Sequence, residues 1–64
     1  MLKFVVQAKD MHGNWRDHQA AWDYNEAKQV EFALLNNDAA WNPKNRKKQT
    51  RIVPTDKANN LYHL

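Results

Sequence analysis

The chain has no cysteine, no serine and only one glycine in 64 residues. Without cysteine there are no disulfide staples, no thiolate zinc sites and no cysteine nucleophiles. Thr50 and Thr55 are the only threonines, so most hydroxyl-nucleophile mechanisms have nothing to start from. A lone Gly13 cannot build a glycine loop that cradles phosphate. No apolar run is long enough to span a membrane. Met1-Leu2-Lys3-Phe4-Val5-Val6 begins a structural element and does not resemble a secretory leader. Together these absences predict a non-enzymatic, cytoplasmic protein with no cofactor and no metal.

What the sequence does hold is aromatic and charged. Three tryptophans, two tyrosines and two phenylalanines are too many for a typical disordered segment and suit a small core built from a few large side chains. A chain of this length buries only about 60% of the surface its unfolded form exposes. One thin-cored domain over 1–54 is expected, with 55–64 as a tail in which Leu61, Tyr62 and Leu64 either dock on the core or fray.

Residues 2–9 alternate with period two, placing Leu2, Phe4, Val6 and Ala8 on one face of a half-buried strand. A turn around Gly13 follows, and 15–20 returns antiparallel, anchored mainly by Trp15. Asp23 is a helix N-cap, with Glu26 completing a capping-box-like pair and Trp22 placed to staple onto Ala27. Ala27, Val30, Leu34 and Trp41 cluster within about 60° of helical wheel, and Tyr24 and Leu35 widen the stripe to about 140°. Phe32 falls outside that arc and Glu31 inside it. The helix ends near 36–38 or runs on to Trp41 before Pro43 stops it. A polar basic loop at 42–48 leads to a third strand at 49–53, closed by Pro54. The predicted fold is α+β: a two-layer ββαβ arrangement, three strands with one helix on one face. If the third strand lies parallel to its neighbour, its crossover should be right-handed.

Charge is distributed unevenly. Residues 1–41 carry four basic and six acidic side chains, a net of −2, and residues 42–64 carry six basic and one acidic, a net of +5. Lys44, Arg46, Lys47, Lys48 and Arg51 lie within eight residues of one another. Such a run is a solvated loop, a docking surface for an acidic protein, or a phosphate-binding patch extended by Lys57. The absence of interleaved aromatics argues against a single-strand stacking platform.

Trp41 adjoins the basic loop and is either a partner-facing anchor or a core residue; interfaces are enriched in Trp, Tyr and Arg. Trp15 and Trp22 suit core or core-edge packing, and Phe32 is a second candidate for facing a partner. His12, His18 and His63 lack metal-ligand spacing. Asp10 and Asp17 lie across the hairpin from each other as a possible carboxylate pair, with no pocket to serve them. A three-stranded sheet also leaves two edges, so the chain is a monomer or a homodimer joined at one of them.

With Gly13-Asn14-Trp15 and Asp17 on the hairpin, Glu26-Ala27 in the first helical turn and Arg51-Ile52-Val53 on the last strand, residues 2–54 resemble small bacteriophage-encoded ββαβ proteins. The resemblance implies a binding module, since some phage proteins of this size and element order block host machinery. It carries over no functional residue. The sites predicted from the residues themselves are Trp41, Lys44, Arg46, Lys47, Lys48 and Arg51.

Overall fold

In the computed structural model, which describes residues 2–45 and 47–57, strand β1 (Phe4–Lys9) lies at the centre of a three-stranded antiparallel sheet. Strand β2 (Trp15–Ala21) flanks it on one side and β3 (Thr50–Pro54) on the other, in the order β2-β1-β3. Helix α1 (Tyr24–Leu35) packs across one face of all three strands. This is the α+β, two-layer ββαβ arrangement that the sequence predicts. Because β3 runs antiparallel to β1, the handedness rule for parallel crossovers does not apply to the connection.

The period-two pattern sorts β1 between two environments. Phe4, Val6 and Ala8 face the helix, where Val6, Ala21, Ala27, Leu34 and Trp41 form the core and Val30 and Ile52 pack against it. On the opposite face the cross-strand rows are Ala20–Val5–Val53 and Asp17–Gln7–Arg51. Val5 and Gln7 are both fully buried there. In β2 the register passes from Val6↔Gln19 to Gln7↔Asp17. His18 is therefore an extra residue, a bulge that bends this edge strand.

Asp23 caps α1 as its sequence position predicts: its carboxylate accepts from the Glu26 N–H at 2.8 Å. Glu26 reaches back one residue further than a standard capping box, accepting from the Trp22 N–H at 3.3 Å. Trp22 itself is 56% exposed and does not sit at the core edge as expected. The helix stops at Leu35, where the Asn36 side chain donates to the Phe32 carbonyl at 2.8 Å. A single 3-10 turn, Asp38–Ala40, then carries the chain to Trp41. A second 3-10 turn, Thr55–Lys57, follows β3. The docking expected of Leu61, Tyr62 and Leu64, and the position of His63, lie outside the described residues. Among the described residues no helix is long and apolar enough to cross a membrane.

Candidate docking surface at the basic connection

The hairpin turn is organised by one carboxylate. Asp10 Oδ1 accepts from the backbone N–H groups of His12 and Asn14, both at 2.9 Å, and Oδ2 accepts from Arg16 Nε at 3.1 Å. Gly13 supplies the positive φ (84°) that the reversal needs. The Asn14 N–H is the main influence holding the Asp10 carboxyl below its ordinary value of 3.8, assisted by Arg16 and the His12 N–H against a partial desolvation cost. Asp10 and Asp17 do not form a carboxylate pair. Asp17 sits on the sheet face, where its Oδ1 accepts from Gln7 Nε2 at 2.7 Å.

The basic connection folds back onto this turn. Asn42 Oδ1 accepts from the Lys44 N–H at 2.9 Å, closing an Asx turn. Asn45 then donates through Nδ2 to the Lys9 carbonyl at 2.8 Å, tying the loop to the end of β1. The Lys9 N–H donates to the Gln49 carbonyl at 2.9 Å, which starts the β1–β3 ladder. Between the turn and the connection lies a shallow groove lined on one side by Lys9, Asp10, Met11 and Gly13 and on the other by Lys44, Asn45, Lys47 and Gln49, with the Asp10 carboxylate already engaged by Arg16 and the turn N–H groups. Met11 is 46% exposed. Among the described residues no carboxylate is ion-paired with Lys9, Lys44 or Lys47.

The six residues singled out in the sequence separate into different roles. Trp41 is not a surface anchor. It is 8% exposed, belongs to the core and donates from Nε1 to the Leu34 carbonyl at 2.8 Å. The helix ends at Leu35, six residues before Trp41, and the 3-10 turn swings the indole back under Leu34. Lys48, in a left-handed conformation at φ 46°, forms an ion pair with Asp38 and holds that carboxyl below its ordinary range. Arg51 does not line the groove. It lies on the sheet face away from α1, donating to Gln7 Oε1 at 2.7 Å and stacking its guanidinium on Trp15 at 4.2 Å from the ring centroid. Lys44 and Lys47 remain exposed at the groove, and Arg46 lies outside the described residues.

Lys9 and Met11 belong to the same surface but come from the hairpin. The bond that brings them there, Asn45 to Lys9, joins residues 36 apart in sequence, and no local pattern signals it. Lys9 Nζ also lies 5.6 Å from the Trp15 ring centroid, so the groove continues into the Trp15–Arg51 stack.

The architecture places the chain among small α+β proteins with a sheet covered by one helix, and the groove gives it a localised cationic surface. Comparison of the chain with protein-family models, curated proteins and solved structures yields no match.

Proposed function

We propose that the chain is a non-catalytic binding module that docks, through the Lys9–Lys44–Lys47 groove, on an acidic surface of a partner protein and thereby modulates that partner. The observation that carries this reading is the convergence of three lysines from two separate segments on one groove beside an exposed methionine. Two unit charges 4 Å apart in water attract by about 1 kcal/mol. Three such pairs would steer an acidic segment into register, and the flexible thioether of Met11 would add adaptable apolar contact. Asn45 fixes the loop against β1, which reduces the ordering cost of binding. A cytoplasmic setting and a bacterial host protein as target are the finer form of this proposal, in keeping with the phage-protein resemblance. The alternative ligand for the same cations is nucleic acid. The ring next to the groove, Trp15, already carries the Arg51 guanidinium on its face, which favours the protein reading.

The test is a titration of 15N-labelled protein with a short polyglutamate peptide and, separately, with an oligothymidylate. Shifts at the Lys9, Met11, Lys44, Asn45 and Lys47 amides on adding the peptide, abolished in Lys44→Glu/Lys47→Glu, support the proposal. Tighter binding of the oligothymidylate, with a log–log salt slope of about −2 for three phosphates, would replace the protein reading with the nucleic-acid one. Peptide shifts that survive the charge reversal would overturn the groove assignment.

A further inference from the structure

The two edges of the sheet are built differently, and only one is fit to pair. β2 carries the His18 bulge, which interrupts its register and bends the strand; bulged edges resist further pairing. β3 has no such defect: from Phe4↔Pro54 to Ala8↔Thr50 its pairing with β1 runs without a shift. The direction of its backbone groups follows from the ladder. The Lys9 N–H donates to Gln49 O and the Thr55 N–H to Lys3 O, so the odd-numbered residues of this segment turn their polar groups toward β1. Antiparallel alternation then points those of Thr50, Ile52 and Pro54 outward. Pro54, which has no N–H, thus falls where proline is tolerated in a sheet, with its nitrogen on the open side. Among the described residues, nothing pairs with this edge.

A helix flank stands beside it. Glu31 accepts from the Thr50 hydroxyl at 2.9 Å, and Tyr24 meets Phe4, the cross-strand partner of Pro54, edge-on at 5.9 Å between centroids. Tyr24, Lys28, Glu31 and Leu35 follow one another at helical spacing, so this flank runs along β3. Tyr24 and Leu35 on this flank are exposed, whereas Phe32, 71% exposed, lies on the side of α1 opposite the buried Ala27 and Leu34.

We infer that β3 is a homodimerisation edge: a second copy of the chain pairs antiparallel with it about a two-fold axis through Ile52, with the Tyr24–Leu35 flanks of the two helices facing each other. The register is set by the strand itself. Centring on Ile52 lets all five residues pair, the Ile52 N–H and C=O exchanging bonds with Ile52 of the second copy. Each Thr50 N–H then reaches the Pro54 carbonyl of the other chain. A register that brings Pro54 toward the centre loses donors where they are most needed. The result is an isologous, closed assembly, whose main-chain bonds supply affinity as in strand addition.

The geometry also accounts for the size of the exposed side chains. Each helix spans the sheet, so across the joined edge the two axes stand about three strand spacings apart, about 14 Å. Helices in direct contact lie about 8–10 Å apart. Large side chains such as Tyr24 and Leu35 are what such a gap requires.

Sedimentation equilibrium from micromolar concentration up to about 1 mM tests the inference, with Tyr24→Glu and Thr50→Pro as variants. The first alters a mostly exposed position. The second removes an outward N–H that β1 does not use, with folding checked by circular dichroism. The expected result is a concentration-dependent rise toward twice 7.6 kDa, lost in both variants, with Ile52 and Thr50 amides exchanging more slowly at high concentration. A wild-type chain that stays monomeric throughout overturns the inference. So does a dimer that Tyr24→Glu leaves at full strength. Lys44→Glu/Lys47→Glu should leave the dimer intact, so the groove and the edge succeed or fail separately.

Discussion

Arg51 spreads its guanidinium over the Trp15 indole, 4.2 Å from the ring centroid, although the two residues come from opposite edge strands of the sheet. The stack bridges β2 and β3 across the central strand, on the same sheet face where Gln7 of that strand links the same edges through Asp17 and Arg51. A planar cation on an aromatic face contributes about 0.5–1 kcal/mol at exposed sites and more when desolvated. Arg51→Lys keeps the charge but loses the planar stack and the Nε donor to Gln7. A double-mutant cycle of Arg51→Lys with Trp15→Leu, read by urea denaturation, should return a coupling of at least about 0.5 kcal/mol. Strict additivity would show the stack to be energetically idle.

Gln7 is 1% exposed and bonded at both ends of its amide. Gln7→Leu conserves much of its volume but removes the acceptor of Arg51 and one donor to Asp17. The expected loss is about 1–3 kcal/mol, the cost of stripping partners from buried polar groups. Urea unfolding midpoints of the two proteins measure it. An unchanged midpoint would show that solvent replaces both bonds.

Trp41 tests the distinction between core and surface directly. Trp41→Phe retains most of the packing and deletes the Nε1–H bond to the Leu34 carbonyl, so it should cost about 1 kcal/mol. Trp41→Ala should cost about 3–5 kcal/mol, enough to unfold much of a domain this small. Thermal melts followed by circular dichroism separate the two. A surface residue would tolerate both changes.

Asp10 makes the hairpin turn sensitive to acid. Its carboxyl titrates below the ordinary 3.8 in the folded chain, so it binds protons less readily folded than unfolded. The stabilisation is therefore present above the unfolded value and is lost as pH falls through the lower folded one. Exchange protection of the His12 and Asn14 amides, taken relative to their intrinsic rates at each pH, should fall in that acid window, and Asp10→Ala should show the low protection already at neutral pH. Exchange at these amides that ignores both changes would remove Asp10 from the turn's support.

The elements whose cause is local were legible in the sequence. Alternation fixed β1, Gly13 marked the turn, and the Asp23–Glu26 pair marked the start of α1. Glu31, which breaks the apolar stripe, is half-buried because Thr50 answers it. The misreadings were of residues whose placement depends on distant partners. Arg51 looks like a member of a cationic run until strand pairing turns it to the far face of the sheet. Trp41 looks exposed beside a basic loop until the 3-10 turn folds it under Leu34. Trp15, Asp17 and Arg51, three of the residues on which the phage-protein resemblance rests, belong to one cross-strand cluster. As sequence marks they therefore report how the sheet is fastened together, while Lys44 and Lys47 of the groove come from the connection that precedes β3.

The order of the strands has a consequence for how the chain is made. β1 is synthesised first and must hold both neighbours, yet β3 pairs with it across more than forty intervening residues. The hairpin and α1 can assemble early from nearby contacts, but one side of the central strand then stays open until the last strand emerges. Non-local pairing of this kind is slow, and an open strand side invites wrong partners while it lasts. For a nascent chain the vulnerable interval is the synthesis of the basic connection, whose length sets how long β1 waits.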